Sequence, residues 1–156
     1  MREMRMVVLN LQFSFLNEFM KRKTLLDIKI IKEKVSSLRI LVVEDEELIR
    51  VPMGDFMERF FCDVVCAEDG EDALKKFHEL GPFDIVFTDI RMPKMNGLEL
   101  IKELRLIDNE LFIAVASGDP EDTKNDFTHC DVVMEKPTSF NAILKMLSKM
   151  VESKGL

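Results

Sequence analysis

The chain has 156 residues, of which 47% are hydrophobic and 33% are charged. This length suits one domain of ordinary size with an appendage, and no apolar run approaches the roughly 20 residues of a membrane-spanning helix. Residues 1–37 carry eight basic and four acidic side chains, whereas the remainder carries fourteen basic and twenty-five acidic ones. So acidic a body repels the phosphates of nucleic acids, which argues against direct binding to DNA or RNA.

Residues 1–37 are predicted to form an N-terminal extension that is largely helical. Residues 9–15 alternate like a strand, but five apolar residues also share one helical face: Met4, Val8, Leu11, Phe15 and Phe19. Four further apolar residues keep a heptad-like spacing: Ile28, Ile31, Val35 and Leu38. Such side chains must be buried on the rest of the chain, on a second copy or on a membrane surface. We expect a helix that supports a homodimer, with a peripheral membrane anchor or an early start codon as alternatives.

From residue 38 onward, short apolar segments alternate with amphipathic ones. Five segments rich in β-branched or aromatic residues predict strands that are buried on both faces: 38–43, 63–67, 83–87, 111–116 and 130–134. Apolar residues three and four apart predict four helices: 47–60, 73–80, 97–105 and 139–151. Asp119 and Pro120 add a further helix start. The alternation predicts an α/β fold, with a doubly wound five-stranded parallel sheet and helices on both faces.

The predicted helix over residues 47–60 contains two helix breakers. Pro52 and Gly54 cost about 3 and about 1 kcal/mol in a helix interior. We expect a kink near Pro52 that packing tolerates, with four apolar side chains turned toward the core: Leu48, Met53, Phe56 and Phe60.

Three cysteines lie among apolar neighbours, and the sequence before them does not resemble a secretory leader. We interpret Cys62, Cys66 and Cys130 as free thiols in a reducing cytoplasm. Cys62 and Cys66 are expected to be buried small hydrophobic residues. His78 and His129 are isolated in the pattern, so structural or surface roles are expected for both.

Polar residues follow four of the predicted strands. Glu44 and Asp45 follow the first strand, Asp89 comes two residues after the third, Ser117 follows the fourth, and Lys136 comes two residues after the fifth. The carboxyl ends of parallel strands share one edge of the sheet, where the ligands of such folds bind. Clustered carboxylates repel one another, and a hard divalent cation relieves that repulsion. The pattern therefore predicts a Mg²⁺ site at this edge.

The predicted ligands and their neighbours suit phosphoryl transfer. Asp45 and Asp89 supply carboxylates, Glu44 binds through a water, and the backbone carbonyl of Arg91 adds an oxygen. Lys136 and the Ser117 hydroxyl lie where they would contact an oxyanion. In phosphoryl transfer, positioning and charge stabilisation dominate, and an aspartate can itself be the nucleophile.

Four motifs, in this order and separation, resemble the receiver domain of two-component response regulators: V-V-E-D-E (42–46), T-D-I-R-M-P-K-M-N-G (88–97), S-G (117–118) and K-P (136–137). The resemblance implies a flavodoxin-like fold and a phosphoryl group transferred from a phosphohistidine to Asp89. Glu44 and Asp45 are then the acidic pair around Mg²⁺. Ser117 is the switch hydroxyl, and Lys136 contacts the phosphoryl group.

The same resemblance implies a cytoplasmic protein with two kinds of partner. The first is a histidine kinase or a phosphotransfer protein, and the second is a downstream protein target. We expect a division into an extension at 1–37, a receiver domain at 38–152 and a tail at 153–156. Because only about twenty residues follow Lys136, we expect one last helix and no DNA-binding output domain.

Three features depart from the pattern of many receiver domains. Glu44 and Asp45 replace an Asp-Asp pair, and Val133 occupies a position where many relatives have an aromatic switch residue. Arg91 and Asp119, each two residues after a motif residue, flank the site with opposite charges. We hypothesise that they pair across its mouth and limit the access of water to the acyl phosphate.

Two other classes of protein remain as alternatives. An aspartyl-phosphate phosphatase or phosphotransferase also uses a nucleophilic Asp at a strand end with Mg²⁺. Enzymes similar to haloacid dehalogenases, however, need a second acid two residues after the nucleophile, where this chain has Arg91. A binding module that keeps the fold without taking phosphate is disfavoured by the intact set of motif residues. We expect a switch rather than an enzyme.

Overall fold

The computed structural model describes residues 25–119, 121–122 and 125–156, so the predictions for residues 1–24 lie outside the described residues. Helix α1 spans residues 25–35. The remaining elements, in chain order, are β1 (Arg39–Val43), α2 (Glu47–Met57), β2 (Asp63–Ala67), α3 (Gly70–Leu80), β3 (Ile85–Asp89), α4 (Gly97–Ile107), β4 (Phe112–Ser117), β5 (Val132–Glu135) and α5 (Phe140–Lys154).

The five strands form one parallel sheet in the order β2-β1-β3-β4-β5. This arrangement confirms the predicted fold class. The register aligns the strand ends, because Val43 pairs with Thr88, Asp89 with Ala116, and Ser117 with Glu135. The residues that follow β1, β3, β4 and β5 therefore meet at one edge of the sheet.

Helices cover both faces of the sheet, and the alternation along β1 shows how the two cores are separated. Ile40 and Val42 are buried in the cluster that contains side chains of α1, α2 and α5. Leu41 and Val43 are buried in the opposite cluster, against α3 and α4. A strand with apolar residues on both faces is the pattern that a buried parallel sheet requires.

The described part of the N-terminal extension packs on the body of the protein. Val35 is fully buried and Ile31 is 8% exposed, and both belong to the same core cluster as Met57 and Met146. Of the three surfaces considered for the heptad-like residues, these two side chains use the chain's own core. The predicted homodimer stays a prediction.

Helix α2 is shorter than expected and faces the core differently. It runs continuously through Pro52 and ends at Met57. Met53 and Phe56 pack against the core, but the prediction for Leu48 is wrong, because its side chain is 91% exposed. Leu48 precedes the buried Met57 by nine residues, which places it roughly 180° around the helix. Leu48 therefore lies on the solvent-facing side of the helix.

The connection from β4 to β5 also differs from the prediction. A helix was expected to begin at Asp119, but the described residues of this connection contain no α-helix, and residues 121–122 form a short 3₁₀ turn. The amide of Asp122 donates to the carbonyl of Asp119 at 3.0 Å, and Asn125 repeats this three-residue spacing with Asp122 at 2.9 Å. Such spacing is typical of a 3₁₀ turn. The Asp119 side chain caps the turn by accepting from the Glu121 amide at 2.8 Å.

Arg105 of α4 holds the rest of this connection in place. Its guanidinium donates to the carbonyl of His129 and to the carboxylate of Asp131, both at 2.9 Å. Phe127 and Cys130 pack against the core beneath. One long side chain thus fixes the segment that leads into β5.

The three cysteines are free, but their burial is only partly as expected. Cys66 and Cys130 are half-buried, and burial raises the pKa of the Cys130 thiol to about 11. The prediction for Cys62 is wrong, because this residue is exposed in the turn before β2, where its thiol donates to the carbonyl of Leu38. Among residues 25–119, 121–122 and 125–156, no helix has the length and hydrophobicity needed to cross a bilayer.

Candidate functional site

Three carboxylates meet at the carboxyl edge of the sheet. Glu44 and Asp45 directly follow β1, and Asp89 is the last residue of β3. Each offers a carboxylate oxygen that lies within 4.8 Å of the others. Glu44 is 6% exposed and Asp89 is 8% exposed, so both carboxylates are largely removed from water. The predicted gathering of these acids is therefore present in the fold.

Arg50 fixes the backbone that carries the first two acids. Its guanidinium donates to the carbonyl of Glu44 at 2.7 Å and to the carbonyl of Asp45 at 3.0 Å. The Glu44 amide donates to the carbonyl of Ala67 at the end of β2. A helical arginine thus returns to the preceding loop and orients it, a role that the sequence pattern did not reveal.

Lys136 joins two of the three carboxylates. Its Nζ lies 2.8 Å from Oε2 of Glu44 and 2.9 Å from Oδ2 of Asp89. Its backbone amide donates to the carbonyl of Ser117 at 2.7 Å, which ties the residue to the end of β4. The lysine predicted from the strand ends therefore contacts the acids directly.

Burial and charge act on this pair in different proportions. Burial raises the pKa of Glu44, and the hydrogen bond from Lys136 only partly opposes it, since Asp89 adds a nearby negative charge. For Lys136, burial acts to lower the pKa, but two hydrogen-bonded carboxylates outweigh it and raise the pKa above its ordinary value. Both pKa values are therefore raised, that of Glu44 chiefly by burial and that of Lys136 by the two carboxylates that outweigh burial.

Gly97 sets how closely α4 approaches the end of β3. A Cβ at this position would lie 2.0 Å from the carbonyl oxygen of Asp89 and 3.0 Å from the Cα of Ile90. The Gly97 amide donates to the carbonyl of Ile90 at 2.8 Å. Only glycine permits this contact, so Gly97 at the end of the second motif allows α4 to pack closely at the site.

The loop from β3 to α4 is pinned to the start of α3. Lys94 has a left-handed backbone with a φ of 62°, and its Nζ lies 2.5 Å from Oδ2 of Asp69. Asp69 is 2% exposed and caps α3 by accepting from the Asp72 amide at 2.9 Å. Its role in anchoring the loop that carries Arg91 comes from the structure.

Ser117 and Arg91 meet at a fourth acid that the sequence did not indicate. The Ser117 hydroxyl donates to Oδ2 of Asp122 at 2.9 Å, and Arg91 Nε donates to Oδ1 of Asp122 at 3.2 Å. Arg91 also pairs with Asp119 at 2.8 Å, which confirms the expected contact between them. Their effect on water access stays a prediction. Val133, which occupies the position of the aromatic switch residue of many receiver domains, is 46% exposed.

The charges of the site fit a divalent cation. The cluster holds three carboxylates and Lys136 supplies one ammonium, which leaves two negative charges in excess when all four groups are ionised. Carboxylate oxygens are the ligands that Mg²⁺ prefers in proteins. Arg91 lies two residues beyond Asp89, in the loop at the same edge. The donor set therefore matches a hard cation in chemistry and in charge.

Comparisons with known proteins agree with this geometry. The family model of the response regulator receiver domain matches residues 40–148. Response regulator RR06 of Streptococcus pneumoniae is 30% identical over 116 residues, which cover 73% of this chain and 53% of that protein. Chemotaxis protein CheY of Thermotoga maritima is 40% identical over 81 residues, which cover 51% of this chain and 67% of that protein.

A solved structure is similar over most of the described fold. Response regulator protein TrrA of Thermotoga maritima, crystallised in complex with Mg²⁺-BeF, has a TM-score of 0.66 and 31% identity, covering 72% of this chain and 98% of that chain. The chain spans about half or less of the length of several curated relatives that it matches. Because the family model covers well over half of the sequence, this chain belongs to the response regulator receiver domain family.

Proposed function

We propose that the chain is a phosphorylation-dependent switch of two-component signalling, with Asp89 as the acceptor of the phosphoryl group. The observation that supports this most directly is the contact between Asp89 and Lys136 within a cluster of three carboxylates. A lone acid at a strand end needs no lysine partner, whereas a phosphoryl acceptor needs both a nearby cation and a place for a metal ion.

The Asp89 carboxylate retains lone pairs for the reaction. Its Oδ1 accepts from the Ile90 amide at 2.7 Å and its Oδ2 contacts Lys136. A carboxylate has about four acceptor positions, so about half remain available to bind a cation and to attack phosphorus. In the proposed transfer, an Asp89 oxygen forms a bond to phosphorus while the phosphorus–nitrogen bond of a partner's phosphohistidine breaks. The histidine nitrogen leaves with the electron pair.

The proposed Mg²⁺ ligands are the carboxylates of Asp45 and Asp89 and the backbone carbonyl of Arg91, with Glu44 binding through a water. When bound, the ion would neutralise charge on the transferring phosphoryl oxygens. Arg50 would keep the Glu44–Asp45 backbone in place, because its guanidinium spans both carbonyls.

Two side chains are proposed to contact the phosphoryl group. Lys136 would move its ammonium from carboxylate oxygens to a phosphoryl oxygen on Asp89, which lies within its present reach. Ser117 follows the residue that pairs with Asp89 in the neighbouring strand, so its hydroxyl is the nearby donor from β4. Both interactions favour the anion that forms on Asp89.

Signalling is proposed to pass through protein contacts. The donor would be a histidine kinase or a phosphotransfer protein in the cytoplasm, and the output a downstream protein target, with no direct nucleic acid binding. Residues 1–37 are proposed as the extension, with a homodimer formed through them, residues 38–152 as the receiver domain and 153–156 as the tail. The chain would then act as a switch rather than as an enzyme with a small-molecule substrate.

Incubation with acetyl phosphate and Mg²⁺, followed by intact mass measurement, tests the proposal. We expect the wild-type chain to gain one phosphoryl group and Asp89→Asn to gain none. Asp55→Asn, which alters an exposed acid of α2, is the matched control and should behave like the wild type. Modification without Mg²⁺, or modification of Asp89→Asn, would contradict the proposal. Turnover of a small phosphomonoester would favour a phosphatase instead.

A further inference from the structure

The Ser117 hydroxyl is already engaged by a buried acid. Its Oγ lies 2.9 Å from Oδ2 of Asp122, which is 3% exposed, and 3.5 Å from the carbonyl of Asp119. A serine hydroxyl has a single proton and therefore one strong hydrogen bond to donate. The geometry assigns that proton to Asp122, since the carbonyl of Asp119 is too distant to compete.

Asp122 is held at this position by several donors. Arg91 Nε reaches its Oδ1 at 3.2 Å, and the Asp119 amide lies 3.4 Å from its Oδ2. The remaining end of the Arg91 guanidinium pairs with Asp119 at 2.8 Å. Because burying an unpaired carboxylate is costly, these partners explain how Asp122 remains inside the fold.

We propose that Asp122 is a positioning residue that keeps the Ser117 hydroxyl away from Asp89, so that a phosphoryl group on Asp89 must displace Asp122 to be bound by Ser117. This inference rests on the proposed function, because it assumes that Ser117 donates to the phosphoryl group. It adds a competing acceptor within the same site, on a segment between β4 and β5.

The competition follows from the count of protons. A phosphoryl oxygen and the Asp122 carboxylate both require the Ser117 proton, and only one of them can receive it. When the phosphoryl group takes it, Asp122 loses the bond that ties its turn to the end of β4. Arg91 then remains its partner, and Arg91 lies two residues beyond Asp89. The loop that follows the acceptor and the turn that follows Ser117 are thereby joined through one guanidinium.

This contact offers a route to the surface that does not need an aromatic side chain. Val133 occupies the place where many relatives carry the aromatic switch residue, and its side chain is already 46% exposed. Release of Asp122 instead changes the turn at residues 121–122 directly. Phosphorylation of Asp89 would then change the conformation of the connection between β4 and β5.

The test is the apparent affinity for beryllofluoride at saturating Mg²⁺, measured by NMR titration of the full chain. Asp122→Ala removes the competing acceptor, and we expect binding to tighten on the order of tenfold, since hydrogen bonds to charged groups are the stronger ones. In a Ser117→Ala background, Asp122→Ala should give no such gain. Asp126→Ala, which removes an exposed acid from the same connection, is the control for loss of one negative charge and should leave the affinity near that of the wild type.

The double-mutant comparison separates positioning from simple electrostatics. If Asp122→Ala tightens beryllofluoride binding equally with and without Ser117, or does not tighten it at all, the inference is wrong. Binding of beryllofluoride to the wild-type chain would still support the proposed function in that case. Absence of binding to every variant would overturn both. If Asp122→Ala does not fold, Asp122→Asn keeps the size of the side chain but weakens the acceptor. It should then give a smaller gain with the same dependence on Ser117.

Discussion

At the scale of single residues, Lys136 shows how the site balances charge before any reaction. Its ammonium contacts Glu44 and Asp89 together, and both acids are nearly buried. Under the proposed function, a divalent ion would take over part of this neutralisation. Nζ would then be available for a phosphoryl oxygen. The lysine and the metal would therefore divide the carboxylates between them.

The buried Asp69 leads to a prediction about pH. Burial alone would raise its pKa, but the hydrogen bonds from Lys94 and from the Asp72 amide outweigh burial and lower it. A carboxylate whose pKa is lowered by folding stabilises the protein above its unfolded pKa, and this contribution is lost as the pH falls through the folded pKa. Asp69→Asn keeps a good N-cap residue for α3 and removes only the charge.

We expect Asp69→Asn to lower the free energy of unfolding at neutral pH, and the difference from wild type to shrink toward about pH 3, where the carboxyl of the unfolded chain is protonated. Urea denaturation at several pH values measures this difference. Asp126, used above as a control for charge, does not suit this pH test, because folding also lowers the pKa of its carboxyl. Glu103→Gln, an exposed acid of α4, serves instead. A difference that does not depend on pH would contradict the assignment.

At the scale of elements, helix α1 packs on the face of the sheet that α2 and α5 also cover. Two adjacent isoleucines offer a test, because Ile31 is 8% exposed and Ile30 is 42% exposed. We expect Ile31→Ala to lower the free energy of unfolding by about 2–5 kcal/mol, as for other buried isoleucines. Ile30→Ala should stay within about 0.5 kcal/mol of wild type. Equal effects in urea denaturation would show that α1 does not pack as described.

The sequence predicted the elements well where hydrophobic periodicity was strong. All five strands were anticipated, but the third was expected to end at residue 87 and continues to Asp89. Polar residues usually mark a strand end. Thr88 and Asp89 are nevertheless buried in the strand, where Thr88 Oγ1 donates to the Asp89 carbonyl and Asp89 contacts Lys136. Partners distant in sequence decide such cases, and a local pattern does not reveal them.

The same limit explains which parts of the site were missed. The strand-end acids and Lys136 were predicted because parallel strands bring their carboxyl ends together. Asp122 is one acid among several in a connection rich in acids, so its burial against Ser117 and Arg91 had no local signal. Asp119 caps its turn as expected, but a 3₁₀ turn stands where a longer helix was predicted, for a related reason. The turn there is fixed by that buried acid, which local helix propensity does not take into account.

At the scale of the whole molecule, the net charge of −7 affects how metal binding should be measured. Any salt screens repulsion within an acidic chain, so a rise in stability with MgCl₂ is not by itself specific. Under the proposed function, Mg²⁺ also binds the folded state, which adds about 2.7 kcal/mol at a concentration 100 times Kd. We therefore expect MgCl₂ to raise the thermal midpoint more than NaCl of equal ionic strength. Asp45→Ala should abolish the excess, and equal effects of the two salts would argue against the site.

The close contact at Gly97 constrains how this protein can vary. The Asp89 carbonyl lies so close to α4 that there is no room for a side chain at position 97. An added Cβ would overlap the carbonyl oxygen at 2.0 Å. At Gly118, an added carbon would meet nothing nearer than the Lys136 side chain at 3.6 Å. A survey of natural or selected variants should therefore find far fewer substitutions at position 97 than at position 118. This is expected although Gly97 has no side chain that could contact a metal ion or a phosphoryl group. The absence of a side chain at residue 97 therefore lets helix α4 approach the backbone of the proposed acceptor, Asp89.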